Sequence, residues 1–158
     1  DEISDGSDLI VTYRNVGDLT LWGSDFALQW FLDDYWALSG TYSHVSDDTF
    51  EIDDGAPISL NAPKNKGSVA LAYRNAVAGF NAEARLRFNS SFRAVSAGFE
   101  GDVPSSKVVD LNLGYAVPST AATLQFSVSN IFDAENQAFV GVPNIGRFLM
   151  LRVKYDLF

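Results

Sequence analysis

The sequence predicts an all-β fold: an antiparallel transmembrane barrel segment of about eight strands. Three observations predict it. Apolar and polar residues alternate in one segment after another. Those segments reach about 10 residues, whereas strands of soluble sheets peak at roughly 5 to 6 and strands crossing a tilted bilayer need about 9 to 11. Long and short connections also alternate along the chain.

The alternation is clearest from Gly146 to Phe158. Leu149, Leu151, Val153, Tyr155 and Leu157 share one parity; Met150, Arg152, Lys154 and Asp156 share the other. Successive side chains of a strand point to opposite faces, so one face is apolar and the other mostly charged. A strand of this length that ends on an aromatic residue fits a lipid-facing wall.

Taken in order, the first segment, Leu9 to Asn15, meets the second across Val16-Gly17-Asp18. The second, Leu19 to Leu32, places Phe26, Leu28, Trp30 and Leu32 on one parity. Asp33-Asp34 turns into a third, Tyr35 to about Val45, with Trp36, Leu38 and Tyr42 on one face. An acidic loop, Ser46 to Pro63, leads to the fourth, Lys66 to Asn75, which presents Val69, Leu71 and Tyr73. After Ala76-Val77-Ala78 the fifth runs from Gly79 to Phe92, setting Phe80, Ala82, Ala84, Leu86 and Phe88 against Asn81, Glu83, Arg85, Arg87 and Asn89. A polar loop, Arg93 to Ser106, precedes the sixth, Lys107 to Val117, where Val109, Leu111, Leu113 and Tyr115 oppose Asp110, Asn112 and Gly114. Pro118-Ser119-Thr120 turns into the seventh, Ala121 to Asn130, with Leu124, Phe126 and Val128 on one face. The loop Ile131 to Ile145 leads to the last strand.

Composition narrows the function. The 158 residues suit one barrel domain, 1–158, and are 47% hydrophobic and 13% aromatic. Mean hydropathy is nonetheless close to zero, as alternation produces. No run approaches the ~18 to 20 apolar residues of a membrane-spanning helix, so any crossing must be made by a closed barrel. A net charge of -9 argues against nucleic acid as a partner. The absence of cysteine removes disulfides and thiolate metal sites, and no cofactor motif is present. The start, Asp-Glu-Ile-Ser-Asp, lacks a leader pattern, as expected if a leader was removed, never existed, or precedes a fragment.

With the C-terminus set in the periplasm, counting back puts 131–145, 93–106 and 46–63 outside and the turns 118–120, 76–78 and 33–34 inside. Long outer loops and short inner turns are the outer-membrane arrangement. Only Val16-Gly17-Asp18 is short where a long loop is expected.

Several stretches resemble the C-terminal barrel portion of TonB-dependent outer-membrane receptors. They are Val108 to Tyr115, then Ser129-Asn130-Ile131-Phe132-Asp133, and Gly146-Arg147 opening the last strand. Upstream, Asn15-Val16-Gly17-Asp18 with Leu21-Trp22-Gly23, and Asn61-Ala62-Pro63-Lys64, are similar to motifs of that family's later strands. The resemblance implies a segment of a 22-stranded type of barrel that serves active nutrient uptake and performs no covalent chemistry. It implies as partners outer-membrane lipid, a plug-bearing chain or the remainder of the receptor, TonB only through that plug, and the barrel assembly machinery. The plug is absent from these residues, and the chain reads as a C-terminal portion, a split subunit or a decayed copy. Two other readings stay open: a complete eight-stranded outer-membrane barrel with a structural or surface-binding role, and a soluble β-barrel or sandwich holding an apolar ligand.

The candidate lumen-facing residues are Glu83, Arg85 and Arg87, with Asn81 and Asn89, and Arg152 and Lys154, with Asp156. They read either as a patch that guides an anionic substrate or contacts a plug, or as a paired and hydrated wall. Tyr155, Leu157 and Phe158 are the candidate terminal assembly signal, with Phe158 out of step with the other two. Asp47, Asp48, Glu51, Asp53 and Asp54 read as a solvated loop or a surface ion site, without EF-hand spacing. His44, the one histidine, shares parity with Ser46 but has no orienting partner or oxyanion hole in view. Tyr73, Tyr115 and Tyr155 lie on apolar parities near strand ends, as an interfacial belt would place them.

Overall fold

The structure is a computed structural model that describes residues 3–4, 9–10, 18–51, 57–96 and 99–156. It is all-β, with no helix among the described residues. In chain order the strands are β1 (Ile3–Ser4), β2 (Leu9–Ile10), β3 (Gly23–Phe31), β4 (Trp36–Val45), β5 (Thr49–Phe50), β6 (Ile58–Ser59) and β7 (Asn65–Asn75). There follow β8 (Phe80–Asn89), β9 (Phe92–Ser96), β10 (Phe99–Val103), β11 (Ser106–Ala116), β12 (Ala122–Ser129) and β13 (Phe148–Tyr155). Seven of them form one antiparallel sheet in the order β13-β12-β11-β8-β7-β4-β3, and β1–β2, β5–β6 and β9–β10 are separate pairs.

The seven long strands match the second to eighth predicted segments in order. The predicted first strand, Leu9 to Asn15, lies outside the described residues except for Leu9–Ile10, which pairs with Ile3–Ser4. The second starts at Gly23, four residues later than the pattern suggested. The fifth stops at Asn89, where Ser90 turns its N–H to the carbonyl of Asn65.

Residues directly opposite each other in an antiparallel ladder share a face. The register therefore carries the alternation of each strand across the sheet. One row reads Trp30, Leu38, Leu71, Ala84, Leu111, Val128 and Leu149, apolar through all seven strands. The next reads Trp36, Tyr73, Ala82, Leu113, Phe126 and Leu151. Of these residues only Val128 is buried; the others are half-exposed or exposed, up to 70% at Leu151. A continuous apolar face of this size on a water-soluble monomer would be anomalous.

The first row also measures strand tilt. It meets β3 one residue from the strand's last, Phe31, and meets β13 one residue from its first, Phe148. The row thus climbs by about one residue per strand. At ~3.3 Å rise per residue and ~4.8 Å between strands, that slope is roughly 30–35°, near the tilt of barrel strands. Both sheet edges are open among the described residues: β3 pairs only with β4, and β13 only with β12. The closed eight-stranded alternative needs those edges to pair; among the described residues they do not, and residues 11–15 of the predicted first strand lie outside them.

The three tight turns that join neighbouring strands of the sheet lie at one end, each closed by a short polar side chain. Asp33 Oδ1 accepts the N–H groups of Tyr35 and Trp36, both at 2.7 Å. Asn75 Oδ1 accepts that of Ala78 at 2.9 Å, and Gly79 follows at φ 67°. A Cβ at Gly79 would lie 2.7 Å from the Ala116 carbonyl oxygen, so glycine is needed for space as well as conformation. Thr120 Oγ1 donates to the Val117 carbonyl at 2.9 Å and accepts the Ala122 N–H at 3.2 Å.

The opposite end carries the long connections, and here the structure adds what alternation did not reveal. The predicted loops 46–63 and 93–106 contain the hairpins β5–β6 and β9–β10. Phe92, Ala94 and Val103 form a buried cluster, against which Phe139 and Val140 pack from the 131–145 connection. This small core sits in the loops rather than on either face of the large sheet.

Candidate functional site

The polar face of the sheet gathers the charged residues through the same register. Arg85 stands opposite Asp110, and Arg87 opposite Val108. Arg87 reaches diagonally along the face: Nε donates to Asp110 Oδ2 at 2.6 Å and Nη2 to Oδ1 at 3.0 Å. That bidentate, charge-assisted geometry fixes both side chains. Arg85 turns instead to Glu83 on its own strand, Nε to Oε1 at 3.1 Å. Ala70, opposite Arg85 on the other side, is 2% exposed and contributes no bulk where the guanidinium lies.

Asp110 has further partners. Its Oδ1 accepts the Ser129 hydroxyl at 2.9 Å and the Asn130 N–H at 3.0 Å. Asn130 ends β12 in the left-handed region, at φ 55°, and is 2% exposed. Asparagine tolerates that conformation better than most residues. Its side chain then ties both ends of the following connection: Oδ1 accepts the Ala134 N–H at 2.9 Å, and Nδ2 donates to the carbonyls of Ala134 (2.8 Å) and Ile145 (3.1 Å). Asp133 Oδ1 accepts the Arg147 N–H at 2.7 Å, and Arg147 Nη1 donates to the Ile131 carbonyl at 3.4 Å. The Asn-Ile-Phe-Asp stretch is therefore a clasp for residues 131–145, and Asp110 joins that clasp to the charged wall.

The connections also hold one another. Asn61, at φ 57°, accepts the Val95 N–H at 2.7 Å and donates to its carbonyl at 2.9 Å, copying a strand pairing with a side chain. Ser59 Oγ donates to the Arg93 carbonyl. Below this cap, a recess of about 500 Å³ lies between the wall residues Thr41, Lys66, Ser68 and Arg87 and the overhanging Asn136 and Gln137. Most of its lining is apolar, with Pro63, Phe88 and Phe92 among the contributors, and the cations Lys66 and Arg87 are set into that lining with hydroxyl and amide groups.

Aromatic side chains mark both edges of the apolar face. At the turn end Trp36 and Tyr73 have ring centroids 4.9 Å apart, with Tyr35 and Phe80 each 6.1 Å from Tyr73. At the loop end Trp22 lies 5.2 Å from His44, and Asn65 Oδ1 meets both Tyr42 Oη (2.7 Å) and His44 Nδ1 (2.8 Å). His44 is thereby engaged with an amide, while Ser46 Oγ accepts the Trp22 N–H at 3.4 Å. The two do not form a catalytic pair.

The sequence profile described as "TonB dependent receptor-like, beta-barrel" matches residues 1–131. The chain belongs to this family. Among solved structures, this chain is similar to one in "Structure of the FpvAI-pyocin S2 complex", with TM-score 0.67 and 17% identity over 85% of this chain and 20% of that one. It is also similar to the ferric enterobactin receptor PfeA, mutant G324V, from Pseudomonas aeruginosa, with TM-score 0.60 and 13% identity over 83% of this chain and 21% of that one. At those identities the likeness establishes the fold. The chain spans about one fifth of the length of these receptor chains. Comparison with curated proteins gives no match. The family match stops at residue 131, yet β13 continues the receptor sheet through eight registered pairs with β12.

Of the sequence candidates, Glu83, Arg85 and Arg87 share one face and engage in ion pairs. Arg152 stands opposite Gln125 and Lys154 opposite Thr123 on that same face. Lys154 Nζ pairs with Asp156 at 2.9 Å, so this strand's charges form a group separate from Arg85 and Arg87 among the described contacts. Tyr155 stands on the apolar face opposite Ala122, while Leu157 and Phe158 lie outside the described residues. Asp47 and Asp48 both face Lys64, at 3.6 and 3.8 Å. Asp53 and Asp54 fall outside the described residues, and no metal-holding cluster occurs among those described. The pattern reading passed over Asp110 and Asn130 as site residues. The one signal for them was their occurrence in the two motifs that carried the family resemblance.

Proposed function

We propose that this chain is a section of wall from an outer-membrane TonB-dependent receptor for active nutrient uptake. Its apolar rows meet lipid, and Glu83, Arg85, Arg87, Arg152 and Lys154 face a water-filled lumen. The long connections form part of the outer mouth, while the tight turns and the C-terminus lie in the periplasm. The open edges at β3 and β13 are completed by the remainder of a receptor or by a plug-bearing chain. TonB acts only through that plug, and insertion depends on the barrel assembly machinery. No step of covalent chemistry belongs to this reading.

The observation that carries it is the inversion of the sheet. Apolar residues form continuous rows on one face, most of them exposed or half-exposed, while the opposite face holds paired charges and small polar groups. That is the division a bilayer on one side and water on the other require. Barrel closure by further strands satisfies the free N–H and C=O groups of both edges, which lipid would leave unpaired.

Orientation has a direct test, since the chain contains no cysteine. In intact cells displaying the receptor, Asp47→Cys is expected to react with a membrane-impermeant maleimide. Ser119→Cys is expected to react only after the outer membrane is permeabilised. Labelling of Ser119→Cys in intact cells would reverse the proposed orientation.

A further inference from the structure

Three features meet at one place: the recess under the loop cap, the Arg87–Asp110 pair in its wall, and the clasp that Asp110 supports. Arg87 lines the recess while its guanidinium is held by Asp110. The overhanging Asn136 and Gln137 belong to the very connection that Asn130 closes. Asp110 accepts the Asn130 N–H with the same Oδ1 that accepts from Arg87 Nη2. Lys66 adds a second cation to the recess wall.

We propose that this recess binds an oxyanion group, a carboxylate or phosphate of a solute, and that its binding loosens residues 131–145. The proposal rests on the wall reading above and names the chemistry that the same site takes. An entering oxyanion competes with Asp110 for the Arg87 fork, whose planar donors match either partner. The Arg87 side chain is 47% exposed and so is reachable from solvent, while that of Asp110 is 15% exposed and stays behind with Ser129 and Asn130. Once Arg87 has turned away, Asp110 loses the cation that held it at the Asn130 N–H. The seat of the clasp becomes free to shift, and the overhang moves with it. A ligand shifts such an equilibrium only by binding one state better than the other. Here the differential contact is the Arg87 guanidinium, free for the oxyanion in one state and taken by Asp110 in the other.

Val140, half-buried against the Phe92 cluster, reports the position of the connection. In cells displaying the whole receptor, Val140→Cys should label slowly with an impermeant maleimide. Labelling should accelerate several-fold when inorganic phosphate or citrate replaces chloride at equal ionic strength. Adding Arg87→Gln should make labelling fast and insensitive to either anion. Arg87→Lys, which keeps the charge and loses the fork, should restore part of the anion response. A labelling rate unmoved by both anions, or an anion response that persists in Arg87→Gln, overturns the proposal. Asp47→Cys in the same cells separates the two failures. If Asp47→Cys labels normally, only the oxyanion latch is lost; if it does not, the wall orientation is lost as well.

Discussion

Replacing Leu71 by arginine is expected to destabilise the membrane-folded protein by about 2–4 kcal/mol, the cost of a cation on the lipid face near the bilayer midplane. Leu71 is the fifth residue from the turn end of β7 and stands between Leu38 and Ala84 in the row that crosses all seven strands. It is 40% exposed, so neither a cavity nor a steric clash explains a loss of that size. On a water-facing surface the same change is worth within about 0.5 kcal/mol. The control is Asn112→Arg, on the polar face opposite Glu83, which brings a cation to a carboxylate and is expected to stay within about 0.5 kcal/mol of the parent. Urea unfolding of the proteins in phospholipid vesicles reads both. Equal midpoints for Leu71→Arg and the parent would contradict the assignment of faces.

The second large effect is expected at Asn130. Alanine there removes three hydrogen bonds, leaves the Ala134 N–H and two carbonyls seeking partners, and places a Cβ-bearing residue with no local compensation at φ 55°. Unmet buried polar groups and left-handed strain together put the loss at about 2–4 kcal/mol. Asn130→Gly relieves the backbone term alone and is expected to recover about 1 kcal/mol of it. Limited proteolysis within residues 134–145 should become faster in both variants and fastest in Asn130→Ala. If Asn130→Ala unfolds like the parent and resists protease equally, the clasp does not hold the connection.

These two sites also show what the amino-acid order discloses. Leu71 was legible because a period of two, sustained over strands of about 10 residues, admits one assignment of faces and a single-residue slip would invert it. The same constraint placed Glu83, Arg85, Arg87, Arg152 and Lys154 together on the polar side. It said nothing of which charges pair. Arg87 joins Asp110 rather than its direct neighbour because one diagonal step along the register separates them, and that register is a tertiary fact. The loop cap was hidden for a related reason. Phe92, Ala94 and Val103 show too short a pattern to mark a core, and their partners Phe139 and Val140 come from a connection more than thirty residues further on. Asn61 and Asn130 each fold a connection through a left-handed backbone and a side chain that substitutes for a strand neighbour. Asparagine is common in loops, so its presence alone did not single them out.

The central claim is that the apolar rows lie against acyl chains. Trp30 stands in the seven-strand row and is 59% exposed, which makes it a native probe of what touches that face. With Trp22→Phe and Trp36→Phe removing the other two tryptophans, its fluorescence should be quenched by phospholipids brominated along the acyl chain and shielded from aqueous iodide. Quenching by iodide, with brominated lipid without effect, would contradict the account.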